Sequence, residues 1–499
     1  MRLKKVSLVV LPERQRSREH SSDTTLPSVP GLPTSGLPSS ARRILTSEKF
    51  WVNHFMSTNR NGRFIAIGLM LFALFFGAGN LIFPAAMGQS AGENVWWALL
   101  GFCVTGVGLP LLGVMAMGYS GCRDLQELAG RVHPWFGTFY TVVCYMAIGP
   151  CFAVPRTGTV SFEIGIRPFL SADATGVALP IFLAVFFAVT FWFAASPSKL
   201  VDRVGKLLTP ALVLTLLVFI VQSFVTPMGE PQAAGAGYAT SVTAAVQGVL
   251  DGYNTLDAIA ALVFATLVVT AVRDSGVTGT KAIAGEVYKC GLIAGVLLAL
   301  IYVFVAKIGA ESVSVIGMQE TGAPVLALSA QHFFGHAGAL LLSLIVLLAC
   351  LTTSIGLITC CAAFFVRLTG KFTYVVWVGI FTVISYLIGL FGLKTIIVST
   401  IPVLMFLYPP CVALIVLTFC HDLFDGRRCV YATTMAATLV MAVINGLETA
   451  GVNLGGLETF LKESVPLHTV GLGWISFAVA GAFVGLLWKA VCPVKGEDD

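Results

Sequence analysis

The sequence predicts an all-α polytopic membrane protein of about 12 transmembrane helices, and three observations carry that prediction. Of 499 residues, 57% are hydrophobic and only 11% charged, where a soluble globular chain carries about 25% charged residues. Mean hydropathy is +0.88. The apolar residues fall in separate blocks of about 18 or more, each long enough to cross a hydrocarbon core about 30 Å thick. The same numbers exclude a soluble, disordered, coiled-coil or disulfide-scaffold protein.

Residues 1–62 are rich in Ser, Pro, Arg and Thr, as in Pro27-Ser28-Val29-Pro30-Gly31. Such a segment cannot bury enough apolar surface to fold, and it lacks the short apolar core and cleavage site of a signal peptide. It reads either as a disordered cytoplasmic leader or as a mis-assigned start, with initiation at Met56 just before the first span. The spans follow at 64–88, 95–118, 135–155, 178–196, 206–226, 241–271, 290–308, 338–366, 373–391, 395–419, 429–447 and 470–491. An even number places both termini on one side. Beyond the leader, segments on that side hold 14 Lys and Arg against 5 on the other, and the leader adds 11. Both termini are therefore expected in the cytoplasm. Arg156, beside Pro155, is counted among the five and reads as an interface anchor. Outside the leader the positive charge is spread along loops, so no nucleic-acid partner is expected and membrane lipid is the surrounding. The 12 cysteines are scattered through the apolar spans without CxxC or Cys/His spacing and read as small buried hydrophobes.

Two spans are unlike plain anchors. The first reads Leu74-Phe75-Phe76-Gly77-Ala78-Gly79-Asn80-Leu81-Ile82-Phe83-Pro84. Two glycines weaken a helix by about 1 kcal/mol each and a proline removes a backbone bond. The sixth reads Asp251-Gly252-Tyr253-Asn254-Thr255-Leu256-Asp257 and places two carboxyls well inside the span. A charge at the bilayer centre costs about 2.5–3.5 kcal/mol on insertion scales, so it faces a partner or a water-filled cavity. Interrupted helices five spans apart are the pattern of a 5+5 inverted repeat, with the last two spans peripheral. The repeats run over 63–227 and 228–420, and the two peripheral helices and C-terminal tail over 421–499. Unwound carbonyls in such a design coordinate a cation and an amine, while the half-helix N-terminus meets a carboxylate. An amino-acid zwitterion suits that arrangement. In the eighth span, Thr352-Thr353-Ser354 offers hydroxyl oxygens of the kind a hard cation takes. Near the end of the third span stand Gly149-Pro150 and Pro155, prolines that kink or end the helix, with Tyr145 on an apolar wall.

At these residues the chain resembles the bacterial branched-chain amino acid:cation symporters of the carrier II type. The stretches that carry the resemblance are Phe75 to Pro84, Gly149 to Glu163, Asp251 to Ala258 and Leu351 to Thr353. The family pattern carries Glu-Gly-Tyr and then Met-Asp where this chain has Asp251 and Leu256-Asp257. The resemblance implies uptake of leucine, isoleucine and valine across the bacterial cytoplasmic membrane, on a leucine-transporter-like fold. It implies no cofactor, with Na⁺ or H⁺ as the coupling ion. By the same analogy, Gly77 and Ala78 carbonyls with Thr353 and Ser354 hydroxyls hold Na⁺, and Asp257 takes part in coupling. Gly79 and Asn80 meet the substrate carboxylate with Tyr145 nearby. Carbonyls from Asp251 through Gly252 and Tyr253 to Asn254 meet the amine.

A carrier of the same fold for another amino acid or a nucleobase is the alternative, and substrate competition separates the two. An enzyme is the rival from another class. The chain has no Gly-x-Ser-x-Gly elbow, Walker loop or CxxC to support one, and His332 and His336, at the spacing of two metal ligands, have no glutamate after the first and fall in an expected outside loop. A channel would show charged rings or a repeated filter rather than two broken helices.

Overall fold

The computed structural model describes residues 60–171, 174–196 and 209–491, and the regular structure among them is helical throughout. The expected leader or mis-assigned start, up to residue 59, lies outside the described residues. The first span is two helices, α1 (Arg60–Phe75) and α2 (Ala78–Ala91). The second is α3 (Val95–Cys103) and α4 (Leu109–Ser120), joined through a π-turn. The third is α5 (Pro134–Met146) and α6 (Ala153–Gly165). Then come α7 (Thr175–Ala194) and α8 (Thr209–Val225). The sixth span is α9 (Ser241–Tyr253) and α10 (Asp257–Asp274), bent by 46°. The remainder are α11 (Thr280–Ile316), α12 (Gly322–Thr369), α13 (Tyr374–Gly389), α14 (Leu393–Phe419), α15 (Arg428–Thr449), the short α16 (Gly456–Ser464) and α17 (Trp474–Val491). Each predicted span is thus occupied by a helix or a helix pair.

The packing is that of two five-helix repeats of opposite topology. The half-helices of the first and sixth spans pack in pairs, α1 against α10 and α2 against α9. The second, third and fourth spans likewise pack on their counterparts, α4 on α11, α6 on α12 and α7 on α13. Around these pairs the core is apolar and nearly continuous, and α10 is buried without interruption from Asp257 to Ala265. α15 and α17 pack on each other and reach the bundle through α14.

Two elements depart from expectation. The third span, expected to kink or end at its prolines and bounded at 155, breaks and then runs on to Gly165. Gly149 adopts non-helical angles (φ −92°, ψ −121°) and Pro150 lacks a donor, so the helix breaks there. Pro155 then sits in the first turn of α6, where a missing N–H costs nothing because first-turn donors have no intrahelical acceptor. The helix restarts and carries Arg156, Thr157, Thr159 and Ser161 into the buried interior. The second departure is in α12, which kinks at Gly335 (φ 60°, ψ −146°). The helical stretch 322–334 ahead of the kink, expected as loop, is seated on α2. A Cβ on Gly322 would lie 1.8 Å from the Ile82 carbonyl oxygen.

Candidate functional site

The two breaks open on one small cavity of about 30 Å³. The first break lies at Phe76–Gly77, where Gly77 is extended (φ −134°, ψ −160°). Close approach demands glycine here, since a Cβ would lie 2.9 Å from Thr353 Oγ1. Asn80 caps the new helix by accepting the Gly77 N–H at 3.0 Å. Its amide nitrogen donates to the Asp257 carboxylate and, at 2.6 Å, to the Tyr302 hydroxyl. Tyr302 in turn donates to Asp257 Oδ2 at 3.2 Å. Asn80 therefore ties the first break to the sixth and to α11 in one buried network. Such a network is stable only when its members are satisfied.

At the sixth break, Leu256 holds the left-handed conformation (φ 69°), which a branched residue rarely adopts. Burial of its side chain and the bond from its N–H to the Tyr253 carbonyl at 3.1 Å hold it there. The carbonyls of Asn254 and Thr255 point to Arg156, which donates from Nη1 at 2.8 Å and Nη2 at 3.2 Å. Arg156 is 3% exposed, and its guanidinium lies 5.1 Å from the Phe83 ring centre. On the α12 side, Thr353 Oγ1 donates to the Phe76 carbonyl at 3.2 Å and lies 3.5 Å from that of Leu74. A helix terminus leaves such carbonyls without intrahelical partners, and these oxygens with the hydroxyl are the donor type a hard cation takes. The rest of the wall is apolar, with Leu74, Phe75, Ile148, Phe264 and Leu357.

The residues singled out from the sequence divide cleanly. Gly77, Ala78, Gly79, Asn80, Asp257 and Thr353 line the cavity. Tyr145, Asp251, Gly252, Tyr253, Asn254 and Ser354 are not among its lining residues. Tyr145 stacks on Phe364 with ring centres 4.3 Å apart. Asp251 accepts from the Tyr238 hydroxyl at 2.5 Å and from Gln247 at 3.1 Å. Gly252 lies against α3 and the π-turn after it, where a Cβ would meet Thr105 Oγ1 at 2.0 Å. Tyr253 stacks on Tyr408 at 4.2 Å. The Asn254 carbonyl, expected to meet an amine, is bonded by Arg156 instead. Ser354 is one residue, hence about 100° of helix, beyond Thr353, and its hydroxyl faces Thr190 of α7 at 3.5 Å.

Sequence reading missed Arg156, Thr157 and Thr255 on the cavity wall and Tyr302 behind it. Arg156 was placed at a membrane interface, and its burial overturns that. The available signal was Pro155, which fits the first turn of a restarting helix as well as it fits a loop. Tyr302 had no such signal, being one aromatic among many in an apolar span.

The profile of the family described as "Branched-chain amino acid transport protein" matches residues 60–492. The chain is 45% identical over 421 residues to the branched-chain amino acid permease BraB of Bacillus subtilis (strain 168), covering 84% of this chain and 94% of that one. It is 36% identical over 431 residues to the permease BrnQ of Escherichia coli (strain K12), covering 86% and 96%. Among solved structures it is similar to Mhp1, a nucleobase-cation-symport-1 family transporter, in a closed conformation with bromovinylhydantoin bound. That match has a TM-score of 0.55 at 15% identity, over 87% of this chain and 94% of that one. MhsT in complex with L-phenylalanine gives a TM-score of 0.52 at 16% identity, over 87% and 98%. The two structures share the fold. On sequence, the chain belongs to the branched-chain amino acid transport protein family, whose members are permeases and carriers rather than enzymes.

Proposed function

We propose that this protein is a secondary active symporter that imports leucine, isoleucine and valine across the bacterial cytoplasmic membrane, coupled to Na⁺ or H⁺, with both termini cytoplasmic. The observation that carries the reading is the single cavity at the two breaks, polar where the breaks meet and apolar on its wall, in a chain of this family. Phenylalanine and leucine side chains on that wall suit a branched aliphatic group. One methylene more or less changes binding there by only about 1–3 kcal/mol, so all three substrates are accepted.

A zwitterion carries no net charge, and the membrane potential does no work on it. One co-transported cation gains about 2.3 kcal/mol per 100 mV, which corresponds to roughly 50-fold accumulation. The cation site belongs at Thr353 with the Leu74 and Phe76 carbonyls, between α1 and α12. Binding there couples the first break to α12, and substrate in the adjoining cavity couples it to the sixth. Alternating access then follows as α1–α2 and α9–α10 move against the helices around them. The experiment is radiolabelled leucine uptake into proteoliposomes under a Na⁺ or a pH gradient at matched potential. Isoleucine, valine, alanine and lysine serve as competitors. Sodium-driven uptake blocked by isoleucine and valine supports the Thr353 site, and proton-driven uptake moves coupling to Asp257. Absence of leucine uptake under both gradients in folded protein overturns the substrate.

A further inference from the structure

Arg156 has more donors than partners. A guanidinium carries five N–H bonds in a fixed plane. Here Nη1 and Nη2 each donate to one backbone carbonyl at the sixth break, and Nε is buried without a partner. No carboxylate among the described residues forms an ion pair with it. Asp257, the carboxyl on the same cavity, is engaged by Asn80 and Tyr302. Burying a full charge costs several kcal/mol unless an anion meets it; the Asp257 carboxylate acts on the guanidinium only through space, without an ion-pair contact, and the two carbonyls and the Phe83 ring are neutral. The start of α2 adjoins the guanidinium. A Cβ on Gly79 would lie 2.8 Å from Nη2, so only glycine lets this backbone approach so closely. Unpaired N–H groups at a helix start attract an anion by themselves. Here they stand beside an unpaired guanidinium on one cavity wall.

We propose that Arg156 is the receptor for the α-carboxylate of the transported amino acid. Nε and the free N–H of Nη2 form the side-on fork that matches two carboxylate oxygens, and the start of α2 closes the site. The end-on pair of N–H groups stays on the Asn254 and Thr255 carbonyls, so one side chain joins the substrate to the sixth break. The branched side chain then points to the apolar wall. The inference rests on the cavity being an amino-acid site.

The test measures binding to the purified full-length protein of leucine, leucinol and 3-methylbutylamine, with alanine and phenylalanine and their alcohols alongside. Wild type is expected to prefer leucine to leucinol by at least roughly 100-fold, because a site built to hydrogen-bond a group rejects the analogue that lacks it. In Arg156→Gln, leucine binding falls by about the same factor while leucinol binding stays within about threefold, and the preference collapses. Arg156→Lys keeps a charge without the fork and retains a preference reduced by about tenfold. Gly79→Ala, whose Cβ displaces the guanidinium, weakens leucine more than leucinol and serves if Arg156→Gln does not fold. Equal weakening of leucine and leucinol in these variants marks Arg156 as a strut and overturns the proposal. So does a wild type that binds leucine and leucinol alike, which leaves the substrate reading intact. Rejection of leucine with retained preference for another free amino acid over its alcohol overturns the substrate reading and upholds the carboxylate site. A wild type that binds none of the acids overturns both.

Discussion

The break in the first span and the break in the sixth face the same cavity, yet they satisfy their backbones differently. At the first, glycine supplies the extended residue and Asn80 caps α2 from within the same segment. The Leu74 and Phe76 carbonyls share a single Thr353 hydroxyl. At the sixth, the turn is made by Leu256 in the left-handed region, at a cost of about 1–2 kcal/mol. Its two carbonyls are held by a guanidinium from α6. A hydroxyl has one proton to give, so oxygen lone pairs remain free at the first break. At the sixth, each carbonyl has its own N–H. Two breaks related by the repeat are therefore chemically unequal. The first has room for a small cation, and the second already holds a cation built into the chain.

Removing the link between the breaks has the largest expected effect. Asp257→Ala leaves the Asn80 amide and the Tyr302 hydroxyl without their shared acceptor. A loss of about 2–4 kcal/mol of stability is expected from two buried donors left unmade. Leucine uptake falls by more than roughly 100-fold as the breaks uncouple. Thermal melting and proteoliposome uptake measure the two losses, and uptake within tenfold of wild type, by the same arithmetic, would show that the breaks need no link. Next in size is the cation side. Thr353→Ala raises the cation concentration for half-maximal uptake about tenfold, the equivalent of one lost ligand. Ser354→Ala, on the face toward Thr190, leaves it unchanged. Gly77→Ala gives a similar loss by pressing a Cβ on the Thr353 side chain. Its effect is smaller on the Thr353→Ala background, and a double-mutant cycle reads that coupling. Equal effects of Thr353→Ala and Ser354→Ala would remove the asymmetry between the breaks.

The fold was legible because bilayer thickness forces long apolar blocks, and Gly77, Gly79 and Pro84 mark an interrupted one. The first break was legible for the same reason, since glycine and asparagine carry their conformational meaning locally. The sixth was found by its carboxyls, but its chemistry was not readable. Asp251 and Asp257 look alike in sequence, and only packing shows that one is bonded to Tyr238 and the other faces the cavity. Arg156 was misplaced because a proline beside a charge reads as loop, whereas the pairing of α6 with α12 buries both. Ser354 reads as a partner of Thr353 in sequence because adjacency hides the 100° turn of a helix. Each miss concerns which way a side chain points, and that is set by the neighbouring helix.

The comparison extends to the ends of the half-helices remote from the cavity, where the expected effect is smallest. Near the end of α2, Gln89 donates to Ser312 Oγ at 2.8 Å and to the Gly317 carbonyl at 3.1 Å, and it accepts the Gln319 N–H at 2.9 Å. α9 carries its own Thr240 cap and the Tyr238–Asp251 bond within its segment, and farther along it accepts one bond from the second span, Thr105 Oγ1 to the Val249 carbonyl at 2.8 Å. The hold on the end of α2 thus comes from a distant element, whereas that on the start of α9 comes from its own cap. Gln89→Ala should free the 317–322 connection at a cost of about 1–2 kcal/mol, net of solvation. Amide exchange at Gln319 then rises by roughly 5- to 30-fold, while exchange in 240–253 stays unchanged. Acceleration of both segments together would mean that α2 and α9 open as one unit, and the asymmetry would be confined to the cavity.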